Sequence, residues 1–269
     1  MKKNLTICLL ILLSGIINSQ NIKLYYENIE NGFILKADNE EYCPVSVKIN
    51  FKLKNLKSSK ENNTVFVIPP KVKNFQITEL KTIKKGKKYN VSSQNTSNYG
   101  NHNKVTYDKN YVYELPFEKG KEYRIMQGYN GTFSHFGENT NALDFDMPIG
   151  TNITAVRSGV VIKVVDKNRK GCPNEKCKAY NNTILIYHND GTFAEYAHIK
   201  YKGSKVKVGN KIESGQIIAE SGNVGWSSAP HLHLAIFKQK IDKRDNIKAK
   251  FKVDNSSIYL KEKELYKKL

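Results

Sequence analysis

The stretch VSVKINFKL constrains this chain most. Val45, Val47, Ile49, Phe51 and Leu53 alternate with Ser46, Lys48, Asn50 and Lys52. Only an extended backbone sends every second side chain to the same side, so this is a half-buried strand with one wet face. TVFVIPP and NYVYELPF read as two further strands, each stopped by proline. Asn/Ser/Lys clusters such as NVSSQNTSNYGN separate them, and no helical period is sustained before Phe117. An antiparallel β-sandwich over residues 20–118 fits this pattern.

Near Gly120 the composition changes. Glycine now punctuates short apolar runs: GVVIKVVD, NTILIYHND, TFAEYAHI, GQIIAESG and HLHLAIF. These predict a second all-β unit over residues 119–240. Residues 241–269 read as a basic C-terminal extension, with weak strand patterns around IKAKFKV and SIYL. Hydrophobic residues make up 39% and charged residues 26% of the chain, which permits a packed core.

Residues 1–19 read as a secretory signal peptide. Lys2 and Lys3 precede an apolar run from Leu5 to Ile17, too short to span a bilayer comfortably, and Ser19–Gln20 is the expected cleavage point. No later stretch is apolar enough to cross a membrane, so an exported, periplasmic or cell-wall-associated protein is expected. The formal charge is +19, and +17 without residues 1–19. Such a chain is drawn to anionic surfaces. Export argues against nucleic acid and favours an anionic envelope polymer or lipid head group.

Four cysteines are present, and Cys8 lies within the signal. Cys172 and Cys177 sit in the polar KGCPNEKC, where an exported protein favours a local disulfide. Cys43 is then left as a buried thiol at a strand start.

The six histidines carry the chemistry. His102, in a polar loop, reads as surface, and His188, in IYHND before a turn, reads as structural or exposed. His135, His198, His231 and His233 remain, with Asp144 in ALDF. The H-x-H of SAPHLHLAIF places two imidazoles on one face of a short strand. A catalytic zinc takes about three His, Asp or Glu ligands and keeps one position open. Other imidazoles nearby move protons or hold developing charge. Spacing supports a metal site without assigning roles, and Asp146, two residues from Asp144, is a rival carboxylate.

From about Gln127 to Phe237 the chain resembles the catalytic domain of lysostaphin-type zinc metallopeptidases, the LytM-like peptidoglycan endopeptidases. The matching pieces are SHFGENTNALDFDMPIGT, AVRSGVV, YAHI, VGNKIESGQIIAESGNVG and APHLHLAIF, in the family's order. The resemblance implies an open antiparallel β-sheet groove and one zinc per chain, held by His135, Asp144 and His233. It implies His198 and His231 as catalytic histidines outside the metal's coordination shell, and peptidoglycan as the substrate. The commoner family pattern has His and Asp four apart. Here that position is Thr140, which cannot replace an imidazole, and His135 stands nine before Asp144, as in a branch with a longer ligand loop. The alternative is a non-catalytic cell-wall binding or regulatory module of the same fold.

Overall fold

The computed structural model describes residues 21–269; the expected signal peptide lies outside them. The regular structure of the described chain is β-strand, apart from two short 3-10 turns at Gly137–Asn139 and Glu175–Tyr180.

The N-terminal unit is two antiparallel sheets face to face. One runs Ile22–Ile29, Gly32–Asn39, Val72–Thr82, Leu56–Ser58 in spatial order. The other runs Val65–Ile68, Val45–Lys54, Asn90–Tyr99. The alternation explains the layering. Val45, Val47, Ile49 and Phe51 turn inward to meet Phe33, Leu35 and Ala37 of the opposite sheet. Lys52 and Lys54 stay in water.

The second unit is a nine-stranded sheet with smaller sheets packed against it. Its strands lie in the order Lys211–Ile212, Gly159–Val165, Thr183–Tyr187, Thr192–Ala197, Leu232–Gln239, Leu143–Phe145, Glu122–Gln127, Leu265–Lys267. Arg244–Asn246 pairs with the far end of Leu232–Gln239. The long central strand is buried on both sides, and its two faces do different work. Leu232, Leu234 and Ile236 enter the main core beside Ile184, Ile186, Ala194 and Tyr196. His233, Ala235 and Phe237 share the opposite face, by the two-residue period of a strand.

Part of that opposite face is covered by the N-terminal unit. Cys43 and Tyr99 pack with Phe193, Ala235 and Phe237, and the two phenylalanine rings stack at 5.4 Å. Asn98 Nδ2 donates to the carbonyl of Lys240 at 3.2 Å. His102, expected at the surface, is half-buried, and its Nδ1 accepts from the Ile241 amide at 3.1 Å. Cys43 is a buried free thiol, as its position at a strand start suggested.

The expected seam at 118/119 falls inside packed structure. Tyr113, Leu115 and Phe117 are buried in the core of the second unit. Of NYVYELPF only Val112–Tyr113 is strand. The tail beyond 241 is no loose extension either. Ala249, Phe251, Leu260 and Tyr266 are buried in the same core, and Leu265–Lys267 covers the sheet edge at Glu122–Gln127. The sequence hid this because each tail strand is only three or four residues long. Their apolar partners lie more than a hundred residues away in sequence.

His188 is fully buried, as a structural residue. Its Nδ1 lies 2.8 Å from the Ser158 carbonyl, which can only accept, so Nδ1 carries the proton. Burial pushes its pKa down to about 4, and the Arg157 charge adds to the effect. The folded state therefore holds His188 neutral, while an unfolded chain binds a proton below about pH 6.5. Stability is full above that value and falls as pH drops toward 4, by about 3 kcal/mol in all. His188→Asn keeps a donor for Ser158 and removes the titration. Urea midpoints measured between about pH 7.5 and pH 5 should fall less steeply for the variant than for the wild type; parallel slopes would refute this account.

Candidate metal centre

Strand register builds the centre. Gln127 pairs with Asp144, Asp144 with His233, and His233 with Ala197, so one row of side chains crosses four strands. Residues directly opposite each other share a face and approach closely. His233 Nδ1 lies 2.8 Å from Asp144 Oδ1. Gln127 Nε2 donates to the other carboxylate oxygen, Oδ2, at 3.2 Å. Gln127 also accepts from the amides of Phe133 and Ser134, which fixes the loop carrying the next residue, His135. Gly131 is required here: a Cβ on it would stand 2.4 Å from Gln127 Cγ.

His135 comes down from that loop and is 1% exposed. Its Nδ1 lies 2.7 Å from the carbonyl of Gly128, so the proton is on Nδ1 and the Nε2 lone pair points inward. Nε2 sits 3.1 Å from Asp144 Oδ1 yet makes no hydrogen bond. A bare lone pair facing a carboxylate oxygen is two acceptors in contact. Such an arrangement calls for a cation between them. The tail contributes: Glu262 accepts from the Gly128 amide at 3.1 Å and so braces the carbonyl that orients His135.

His135, Asp144 and His233 thus offer one ligand atom each, all within 4.8 Å of one another. Two imidazoles and a carboxylate suit a borderline divalent metal such as zinc. Asp144 is buried. Burial opposes its charge, but the facing imidazoles of His135, His233 and His231 outweigh that and hold the carboxyl well below the usual range. Asp146, the rival, is exposed past the strand end and takes no part. Thr140 is also outside: its hydroxyl donates to the Gly137 carbonyl.

Two more histidines face the row. His198 follows the strand Thr192–Ala197 and has φ +63°. That left-handed conformation is uncommon for a residue with a side chain, and such backbone recurs at functional sites. A regular strand would send His198 to the face opposite Ala197. Instead its ring centroid lies 4.5 Å from that of His231 and 6.0 Å from that of His233. Its Nδ1 is 2.8 Å from the Val224 carbonyl. His231 enters just ahead of the strand, with Nδ1 2.8 Å from the Ala229 carbonyl and 3.1 Å from Ser227 Oγ. Both rings therefore carry the proton on Nδ1 and turn a free Nε2 lone pair toward the row. Burial, reinforced by the neighbouring imidazoles, pushes His198 down to about 3. Burial also lowers His231, against the pull of Asp144. Both are neutral at neutral pH and able to accept a proton.

A cavity of about 290 Å³ opens above this row. Phe133 and Trp226 form its apolar wall, with ring centroids 6.4 Å apart, and Thr132, Ser134 and Ser228 add polar groups. The disulfide loop holds the Trp226 side. Cys172 bonds Cys177, and Gly171 and Cys172 pair in parallel with Gly225 and Trp226. Gly225 has φ +88°, and a Cβ there would overlap the Asn181 side chain, which accepts from the Trp226 amide. Segment 224–227 thus orients both facing histidines, through the Val224 carbonyl and Ser227 Oγ. Sequence reasoning missed Gln127, Ser227, Trp226 and Glu262. None is a metal ligand or a base, and only the register and loop contacts reveal them.

Residues 138–246 match the family model described as peptidase family M23. The match begins three residues after His135, so that ligand rests on the geometry above. Lysostaphin of Staphylococcus simulans is 39% identical over 108 residues, 39% of this chain and 18% of that one. Peptidoglycan DD-endopeptidase ShyA of Vibrio cholerae is 36% identical over 95 residues, 35% of this chain and 19% of that one. The chain thus spans about a fifth of the length of these curated relatives. The solved catalytic domain of the antimicrobial peptidase lysostaphin from Staphylococcus simulans is 30% identical. It covers 47% of this chain and 87% of that one, with a TM-score of 0.33.

Trp226 is the single tryptophan, so its emission reports on the disulfide loop. Reduction, or Cys172→Ser with Cys177→Ser, should red-shift that emission. The closed loop is short, so the stability lost should be at the low end of about 2–4 kcal/mol, and bound metal should be retained. Unchanged emission on reduction would show that the loop does not hold Trp226.

Proposed function

We propose that this chain, whose residues 138–246 match the peptidase family M23 model, is an exported zinc endopeptidase of lysostaphin type that hydrolyses peptide bonds in bacterial peptidoglycan. One observation carries the reading: His135 Nε2, Asp144 Oδ1 and His233 Nδ1 converge beneath a cavity that two neutral imidazoles also face. Bound zinc would supply Lewis acidity, polarising the scissile carbonyl and making water nucleophilic near neutral pH.

The protein's own groups do the rest. His231 Nε2 lies 3.8 Å from Asp144 Oδ1 and His198 packs against it, so both lone pairs border the space a scissile carbonyl would occupy. As a water oxygen adds to the carbonyl carbon, one imidazole takes its proton at Nε2. The imidazolium so formed stands beside the oxygen that gains negative charge and stabilises it. It then returns the proton to the departing amine nitrogen as the C–N bond breaks. Val224 and Ser227 hold the two rings by Nδ1, so each ring is left to exchange its proton through Nε2. The apolar Phe133–Trp226 wall limits water there, which strengthens each electrostatic contact. There is no glutamate base of the His-Glu-x-x-His kind in the sequence.

Peptidoglycan as substrate is supported by the likeness to ShyA of Vibrio cholerae, a peptidoglycan DD-endopeptidase. Export is supported by the oxidised Cys172–Cys177 pair and by the N-terminal apolar run.

Elemental analysis of purified protein should find close to one zinc per chain. His233→Ala should lose most of it. His231→Ala and His198→Ala should keep it and lower turnover by about 100- to 10,000-fold. Digests of several peptidoglycan chemotypes, with new termini identified by mass spectrometry, name the bond. Equal metal loss in His231→Ala and His233→Ala would overturn the roles. A zinc-loaded wild type that cuts no chemotype would leave the non-catalytic module.

A further inference from the structure

We propose that the end of the N-terminal sandwich remote from the peptidase unit is a docking surface for an anionic lipid bilayer. The sandwich is polar end to end in a specific sense. Strands Val45–Lys54 and Asn90–Tyr99 pair antiparallel, with Val45 opposite Tyr99 and Lys54 opposite Asn90. Tyr99 and Gly100 abut Phe193 of the peptidase unit. The Asn90 end therefore lies roughly 30 Å away, at about 3.3 Å per residue.

The loop at that far end is KTIKKGKKY. Lys81, Lys84, Lys85, Lys87 and Lys88 are all exposed, and the loop contains no acid. Lys54 and Lys57 lie at the same end, because Lys54 pairs with Asn90 and Lys57 with Lys81. The acids nearby are Glu79, 3.4 Å from Lys81, Glu30 in the adjoining hairpin turn, and Glu27 in the row of Glu79, which is paired with Lys36. Among the described residues, Lys84, Lys85, Lys87 and Lys88 form no ion pair.

This loop is held in shape. Asn55, at φ +54°, donates through Nδ2 to the carbonyls of Lys84 (3.0 Å) and Lys87 (3.1 Å). Its Oδ1 accepts from the Lys84 amide at 2.8 Å. A lysine run that served only solubility would gain nothing from such a clamp. A fixed array lowers the ordering cost of binding. Two exposed apolar groups sit among the charges: Ile83, 61% exposed, and Tyr89, 52% exposed. The Tyr89 ring is set edge-on against Phe33 at 5.2 Å. A soluble polyanion needs only the cations. Ile83 with an interfacial tyrosine adds the apolar contact that a bilayer surface rewards. Juxtamembrane lysines are attracted by anionic head groups within a Debye length.

Cosedimentation tests this on the full mature chain. Vesicles of phosphatidylcholine with about one-third phosphatidylglycerol are compared with pure phosphatidylcholine. The anionic vesicles should bind at least about 30-fold more tightly, and high salt should weaken binding. Reversing Lys84, Lys85, Lys87 and Lys88 to Glu should cost about 100-fold or more. Reversing Lys261, Lys263 and Lys267, in the tail, should cost less than about threefold. Ile83→Ser should lose about fivefold at any salt concentration, and it tests the same surface if the charge reversal does not fold. Equal losses from tip and tail reversals would reduce the lysines to bulk charge and overturn the proposal. So would an unaffected Ile83→Ser, or binding to a soluble polyphosphate without binding to vesicles.

Discussion

A single buried carboxylate organises the second unit of this protein. Asp144 Oδ1 lies within 4 Å of three imidazoles: His233 at 2.8 Å, His135 at 3.1 Å and His231 at 3.8 Å. An unpaired charge at that depth would be strongly unfavourable. The imidazoles, the Gln127 amide on Oδ2 and the cation the cluster is shaped to hold make it tolerable. Removing Asp144 would leave His135 Nε2 with no group to face, and removing the imidazoles would leave a buried charge. The cluster is therefore interdependent, and its members should not contribute additively.

Three of the histidines have their tautomer set by a backbone carbonyl: Gly128 for His135, Val224 for His198, Ala229 for His231. A carbonyl only accepts, so each ring is left with its Nε2 lone pair free. What differs is what each lone pair meets. His135 meets the carboxylate in the buried floor, while His198 and His231 border the cavity. In the proposed reading, the division between metal ligand and proton carrier follows from how closely each ring approaches Asp144, not from residue type. The supports of these carbonyls lie far off in the chain. Glu262 braces Gly128, and the disulfide loop braces the 224–227 segment.

The N-terminal sandwich and the catalytic row use the same face of the large sheet. Four residues along the central strand from His233, Phe237 is covered by Phe193, Tyr99 and Cys43. Phe133 and Trp226 line the cavity over the row, which no residue of the sandwich lines. One unit is fixed upon the other by an apolar patch and by the His102 and Asn98 contacts. The lysine tip is consequently a fixed distance from the chemistry, so anchoring one end would set where the other can reach.

The sequence by itself determined what local periodicity and residue chemistry can express. The alternation from Val45 to Leu53 gave a two-faced strand, glycine spacing after Gly120 gave short strands, and the Cys172–Cys177 spacing gave the local bridge. The H-x-H and the order of motifs around it brought His135, Asp144, His198, His231 and His233 forward as a set. Other assignments required the third dimension. Gln127 counts only because it sits opposite Asp144 across a ladder. His102 read as surface because nothing in a polar loop reports that Ile241 will dock on it. Tyr113, Leu115 and the tail joined the second core because sheet edges are completed by segments more than a hundred residues apart in sequence. Spacing left Asp144 and Asp146 as rivals and only the resemblance favoured Asp144; the strand end at Phe145, which leaves Asp146 exposed, gives the physical reason. Periodicity fixes the face a side chain occupies within its own strand; only the packing of strands and loops decides which faces meet.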